Sequence, residues 1–503
     1  MSVVVPALIR EAMQRPMRAA VLGLCAVAAA AVFLANIWGN PPGFALDESG
    51  IAYNAWRLAS TGADMNGEPW PVYTTFAGGA MNMPFVYVLS VVFALTGPSI
   101  EVARVVSGVL GLAGGMALGL LAGRMSGRWW VGLPMAAATL TSPWLFENSR
   151  LVFEVAIYPL VLGLLLLAVL RASRHGVWTP GDMVAIAGAL ALVTYGYSVG
   201  RLLGPLLAAA LVVFWSRRRR FGVVGTWAIY GLLLMPMLLF ALQRPGWLTG
   251  RFQELTYLSS AGSIWTAAGE VAKHYLSVLD PAQLLLIGEV GNHRHHVADV
   301  TGSVPLVVVL LAAVGIIWLV QNEMATPFWR WMLIGLVVSP LPAALTNDSF
   351  HSLRLVPFFV FMTAVAGYGL TVLARRTVEG GGWRIVAIAV LAAGVVQAGY
   401  FMTRYHQVGL SPERLAWFDS GVPALVRTAM QSADVIHVHD GRAPAHLHAL
   451  WYGALFGAEG RLRFVADPAS LDAGAVVLTG EESCERCEVL GRDSIFMLYR
   501  RIE

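Results

Sequence analysis

The recurrence of long apolar runs limits this chain more than any other feature. Stretches of about 18 to 21 residues, the length that crosses a hydrocarbon core as a helix, recur at roughly 19–38, 105–123, 129–146, 151–170, 181–198, 222–242, 303–320, 328–345, 355–374 and 385–402, with a shorter one at 202–215. No soluble core needs so much apolar sequence: 57% of the 503 residues are hydrophobic and 13% are charged. The expectation is a polytopic α-helical membrane protein. The formal charge of +4 is no sign of nucleic acid, because much of the Lys and Arg sits in short loops between apolar runs, where topology already accounts for it. The first run follows Arg10, Arg15 and Arg18 and has no clean small-x-small cleavage site before Pro41, so it reads as a retained signal anchor.

Charge orients the runs. The apolar part of "MPFVYVLSVVFALTG" (83–97) is about 12 to 14 residues, closer to an interfacial or re-entrant helix than to a span. If it does not cross, the N-terminus, "GRMSGRWW", "RASRHG", "WSRRRRF", "QNEMATPFWR" and "ARRTVEGGGWR" share the inner side and carry its arginines. If it crosses, Arg217 to Arg220 fall outside, against the positive-inside bias. The expectation is therefore about eleven transmembrane helices in the plasma (inner) membrane, with the N-terminus inside and the C-terminus outside.

On this topology the costly polar clusters face one side: Asp47/Glu48, "ENSRLVFE" (147–154), "YGYSVGR" (195–201), "GNHRHH" (291–296) and "NDSFHSLR" (347–354). They fall in a first outer loop (39–104), a large outer loop (243–302) and the turns between, which predicts a site at the outer membrane face. A transporter or flippase would place such groups near mid-span; it stays as an alternative, beside a non-catalytic relative that binds lipid phosphate. Asp47 opens an amphipathic helix (Ile51, Ala55, Leu58 and Ala59 at helical spacing), whose N-terminus favours negative charge. It either caps that helix or, ionised, accepts a proton from a hydroxyl. Arg150, Arg201, Arg294 and Arg354 come from four separate outer segments; guanidinium groups gathered at headgroup level suit a phosphate, while each alone also reads as a headgroup anchor. Asn82, Glu154, Tyr195, Asn292, His295 and His351 are the candidate substrate contacts, Glu154 with the alternative of bonding a neighbouring helix. Adjacent histidines in "HRHH" (293–296) cannot all face one ion on regular structure, so phosphate or sugar contact ranks above metal. No cofactor is assigned, and a divalent metal is left open.

After Met402 the pattern changes to helical stretches (412–430, 443–456) between short strands at "ADVIHVH", "LRFVA", "GAVVLTG" and "SIFMLYRRI". Residues 403–503 read as a small α/β domain outside the membrane, following a transmembrane unit at 1–402. Cys484 and Cys487 fit a local disulfide, free thiols or a metal site.

The order "LDE…YNAWRLASTGADMNGEPWP", "MPFVYVL", "ARVVSGVLG", "SPWLFENSRLVFE", "YGYSVGRLLGPLL", "HYLSVLDPAQLLLIGEVGNHRHH" and "SPLPAALTNDSFHSLRLVPF" resembles the bacterial GT-C membrane glycosyltransferases. These are similar to protein O-mannosyltransferases and lipid A aminoarabinose transferases, and the resemblance covers about residues 20–402. It implies a GT-C transmembrane fold and an inverting transfer of a sugar from a polyprenyl-phosphate carrier to a glycan, lipid or protein acceptor. The acidic residue of the first outer loop, here Asp47 with Glu48 beside it, would be the base. Relatives often carry an Arg three residues after that Asp and a Lys before the interfacial helix, where this chain has Gly50 and Asn82. The resemblance therefore leaves the phosphate to Arg150, Arg201, Arg294 and Arg354, or implies an altered donor or lost activity.

Overall fold

The computed structural model describes residues 4–76, 79–260, 262–297, 301–481, 483–484 and 486–502; the side chains of Arg10, Arg15 and Arg18 lie outside the described set. The chain starts with α1 (Val4–Phe33), α2 (Leu46–Thr61), the hairpin β1 (Tyr73–Phe76) and β2 (Gly79–Asn82), and α3 (Met83–Thr96). A helical body follows: α4 (Ile100–Ser126), α5 (Gly132–Leu140), α6 (Pro143–Asn148), α7 (Tyr158–Ser173), α8 (Pro180–Gly196), α9 (Gly200–Ala210), α10 (Arg220–Leu233) and α11 (Met235–Gln243). Short helices α12 (Gly250–Leu255) and α13 (Ile264–Ser277) lead to α14 (Leu306–Asn322), α15 (Pro327–Val338), α16 (Leu341–Ala344), α17 (Val356–Arg376) and α18 (Gly382–Val408).

Among the described residues, five helical stretches are long and apolar enough to cross a membrane: Ile100–Ser126, Glu154–Ser173, Arg220–Gln243, Val356–Arg376 and Gly382–Val408; six shorter apolar helices stand beside them. Several apolar runs are divided for local reasons. The 129–146 run breaks at Thr141–Ser142, where Pro143 opens α6; a proline lacks the N–H that a continuing helix needs and fits the first helical turn. Pro236 starts α11 in the same way. At about 1.5 Å per residue, α3 reaches only ~21 Å, short of a hydrocarbon core of ~30 Å.

α17 is the central post: every residue from Val356 to Ala374 is buried. It crosses α14 at Gly315 and Gly369, where a Cβ on either glycine would overlap the facing backbone of Val365 or Leu311. Small residues let two helix backbones approach this closely. α18 is the opposite case. Ile385, Ile388, Val395 and Val396 on it are 67–72% exposed, an apolar surface that suits lipid and not water. An apolar groove of about 1050 Å³ lies against α1, α4 and α5, with Arg124 and Arg174 among its lining residues.

The C-terminal part comprises α19 (Pro412–Trp417), α20 (Val422–Ser432), β3 (Ile436–His439), α21 (Ala445–Phe456), β4 (Leu462–Phe464), β5 (Val476–Thr479), β6 (Cys487–Asp493) and β7 (Phe496–Arg501). The strands form one mixed sheet in the order β4-β3-β5-β7-β6. β3 runs parallel to β4 and β5, while β7 is antiparallel to β5 and β6. Sequence pattern marks four of the five strands; β6 escapes because an exposed edge strand carrying Glu488, Arg492 and Asp493 lacks the alternation of a half-buried one. The expected helix 412–430 is two helices, parted where Asp419 takes a left-handed φ of 48°. Cys484 and Cys487 form a disulfide.

Candidate active site

Asp47 occupies the first turn of α2, and the helix end is capped without it. Glu48 Oε2 accepts the Ala45 N–H at 2.9 Å, and Asp419 Oδ2, from the C-terminal part, accepts the Leu46 N–H at 3.0 Å. Two of the open donors of a helix N-terminus are thereby satisfied. The Asp47 side chain, 43% exposed, faces Arg294 instead, Nη1 to Oδ2 3.5 Å. Arg294 is itself fixed: Nε donates to the Trp417 carbonyl at 2.9 Å, and the guanidinium lies 5.4 Å from the Trp417 ring centroid.

Glu48 stands differently. It is fully buried, forms an ion pair with Arg104 at 2.8 Å, and accepts the Val152 N–H at 2.8 Å. Burial raises its pKa against the pull of Arg104 and of the Val152 and Ala45 N–H groups. The sequence paired it with Asp47, but adjacent residues on a helix point about 100° apart. Glu48 points into the body and braces α2 on α4.

The four arginines also separate. Arg150 is completely buried; its Nη2 donates to Phe33 O (2.7 Å) and Ala35 O (3.1 Å), and its Nη1 to Phe146 O (3.2 Å). It satisfies carbonyls at the end of α1 and does not reach the outer cluster where the sequence placed it. Arg201 donates to Leu248 O (2.6 Å), Ala80 O (3.1 Å) and Asn82 Oδ1 (3.1 Å). Asn82 in turn gives its N–H and side-chain amide to the two oxygens of Glu154, at 2.8 and 2.6 Å. Glu154, Asn82 and Arg201 thus form one continuous network at the β2–α3 junction, and Asn82 stands between the two charges. Arg354 pairs with Asp348 and donates to Thr346 Oγ1 at 2.7 Å.

Tyr195 lies to one side. Its hydroxyl bonds Leu233 O (3.0 Å) and the Met237 N–H (3.1 Å), at the α10–α11 break. Tyr197, two residues on, lies just past α8 with its ring edge-to-face against Tyr158, ring centroids 5.9 Å apart. Sequence reading missed it, although helix α8 ends at Gly196 and a residue just past a helix end faces a new direction. Asn292 Oδ1 accepts the Arg294 N–H at 3.3 Å, which shapes the turn. The neighbouring histidines diverge: His295 Nδ1 meets Glu289 Oε1 at 2.9 Å, whereas His296 Nδ1 meets Glu147 Oε2 at 2.7 Å. His351 stacks near His295, with ring centroids 4.9 Å apart. Glu289 lies within the sequence motif, but nothing in the motif marks it out. Burial raises its pKa, and His295, His351 and the Ser352 hydrogen bond override this to hold the carboxyl well below its ordinary range.

No protein-family model matches this sequence, and no curated protein matches it. Solved structures do. ArnT from Cupriavidus metallidurans in the apo state aligns with a TM-score of 0.60 over 96% of this chain and 98% of its own, at 16% identity. ArnT from the same organism bound to undecaprenyl phosphate gives 0.59 over 95% and 97%, at 15% identity. The fold is that of the GT-C glycosyltransferases. The archaeal oligosaccharyltransferase AglB from Archaeoglobus fulgidus, in complex with an inhibitory peptide and a dolichol-phosphate, aligns over 88% of this chain and 64% of its own, with a TM-score of 0.54 and 13% identity. The match to ArnT extends past residue 402 into the C-terminal sheet, so the shared architecture includes the segment that caps α2.

That segment holds α2 through several contacts. Phe44 N–H donates to Phe418 O (2.9 Å), Ser49 Oγ meets His448 Nδ1 (2.8 Å), and His448 Nε2 meets Asp419 Oδ2 (3.2 Å). Ser49 and His448 are fully buried, so this chain of contacts fixes α2 and is closed to substrate. Gly43 sits beneath it at φ 67°, its Cβ position filled by Phe418 O and Ser420. His448→Ala should remove two hydrogen bonds and leave Ser49 buried without a partner, while Asp419 keeps the Leu46 N–H, a cost of about 1–3 kcal/mol. The check is thermal unfolding of the purified protein; an unchanged midpoint would show that the C-terminal part does not hold α2.

Proposed function

We propose that this protein transfers a sugar from a polyprenyl-phosphate-linked donor to an acceptor hydroxyl, with inversion, and that Asp47 is the general base. The acceptor oxygen attacks the anomeric carbon, its proton passes to the Asp47 carboxylate, and the bond from that carbon to the phosphate oxygen breaks on the opposite face. The polyprenyl phosphate leaves with the electron pair. The observation that carries this reading is the state of Asp47: it opens α2, is freed from capping by Glu48 and Asp419, and keeps a part-exposed carboxylate beside Arg294. A base must reach the proton that it removes, and Glu48 is buried away from any acceptor. In this reading Arg294, paired with Asp47, stabilises the charge that grows on the leaving phosphate, and Arg354 assists it. Arg201 is a positioning residue, since its guanidinium holds the β1–β2 hairpin and Asn82.

The likeness to ArnT bound to undecaprenyl phosphate supports the donor class. The test is incubation of the purified protein with synthetic polyprenyl-phosphate sugars and a panel of hydroxyl acceptors. The expected result is sugar-dependent release of polyprenyl phosphate; a chain that binds these lipids and turns none over is a lipid-binding relative.

In this reading the protein is a multi-pass protein of the plasma membrane with about eleven crossings, and its site and C-terminal part lie outside. A cysteine at Arg218 should be shielded from an impermeant thiol reagent in intact cells, and one at Leu410, 55% exposed, should react. The reverse pattern would mean that α3 crosses the bilayer and that the cleft faces inward.

A further inference from the structure

We infer that Glu289, His295 and His351 form a zinc site that joins the loop carrying Arg294 to the segment carrying Arg354. One potential ligand atom from each of the three lies within 4.8 Å of the other two. Glu289 Oε1 and His295 Nδ1 are 2.9 Å apart, and the two imidazole centroids 4.9 Å. Glu289 is 5% and His295 9% exposed. Tetrahedral ligands held about 2.0–2.1 Å from zinc lie roughly 3.4 Å from one another, so modest side-chain rotations close the set.

The donor chemistry selects the metal. Two imidazoles and one carboxylate are a zinc set with a fourth position open; calcium and magnesium take oxygen ligands. A second carboxylate oxygen is already held, because Glu289 Oε2 accepts the Ser352 N–H at 2.7 Å, the kind of outer hydrogen bond that orients a ligand. A plain Glu289–His295 hydrogen bond accounts for only part of this arrangement. His351 Nδ1 is buried with no hydrogen-bond partner, and buried polar atoms of native proteins are rarely left so. A cation accounts for all three residues together. His296 is excluded, since its two nitrogens meet Glu147 Oε2 and Thr301 O, both at 2.7 Å.

The proposal is independent of the transfer reaction, because Glu289 and His295 bracket the 291–294 turn while His351 precedes α17; their joining is a property of the fold. Its test uses the full-length protein, purified in detergent, stripped with chelator and reloaded with Zn²⁺ or Co²⁺. Wild type should retain about one zinc per chain by elemental analysis, as expected for three buried protein ligands. The Co²⁺ form should show the visible absorption of a tetrahedral site. His351→Ala and Glu289→Gln should lose at least nine-tenths of the metal, whereas His293→Ala, in the same loop, should keep it. If the two ligand variants do not yield folded protein, the stoichiometry and Co²⁺ spectrum of wild type decide. No zinc uptake by wild type, or a full equivalent retained in folded His351→Ala, would overturn the site.

Discussion

Asp47→Asn is expected to lower sugar transfer by about 100-fold or more, the scale on which a general base contributes. Yield, thermal stability and binding of polyprenyl phosphate should stay near wild type. The side chain keeps its shape, and neither backbone cap of α2 depends on it: Ala45 N–H is held by Glu48 and Leu46 N–H by Asp419. The substitution removes only the pairing with Arg294, 3.5 Å long and part-exposed, which is worth little to stability. The deficit should therefore fall on the chemical step, measured as single-turnover transfer with the donor saturating. Turnover near wild type would move the base to another carboxylate of the cleft, with Glu154 first in line.

Glu48→Gln is expected to act on folding instead. It leaves the Arg104 guanidinium buried without its counter-charge, a change that costs about 3–5 kcal/mol in buried pairs against a total stability of about 5–15 kcal/mol. The same substitution turns an acceptor of the Val152 and Ala45 N–H groups into a partial donor. Low yield and a sharply lowered unfolding midpoint should result. Arg104→Met should cost a comparable amount, and the double variant less than the sum, because the two residues share one interaction. A Glu48→Gln protein of wild-type stability that has lost transfer would assign Glu48 to the chemistry.

These opposite expectations for neighbouring acids show where sequence reading stops. The apolar runs and the acidic pair at the end of the first of them are legible because length and charge are properties of the sequence itself. The side of a helix that faces the body is not, since α2 has apolar and small residues on several faces: Ile51, Ala52, Tyr53 and Ala55 are all buried. The helix carries no narrow stripe, so the pattern could not tell Asp47 from Glu48. Arg150 was misplaced for a related reason. Its spacing puts it at a helix end, and only the approach of Phe33 and Ala35 shows that it serves carbonyls inside the body.

The motifs around residues 147–154, 195–201, 291–296 and 347–354 contain Glu154, Tyr197, Arg294 and Arg354, but how each side chain is held required the backbone. Tyr195 and Tyr197 differ only in which side of the α8 terminus they occupy. The role of the C-terminal part was not readable at all, because Asp419 and His448 lie about 370 to 400 residues from the helix they hold. No local rule connects residues at that separation.

The most direct measurement is an electron cryo-microscopy structure of the purified protein with polyprenyl phosphate bound. The phosphate should lie within hydrogen-bond reach of Arg294, with the Asp47 carboxylate facing the space beside it where a sugar and an acceptor hydroxyl meet. A phosphate bound instead beside Arg124 and Arg174 at the groove of α1, α4 and α5, with the Asp47 cleft empty, would contradict the assignment of that cleft as the site of transfer.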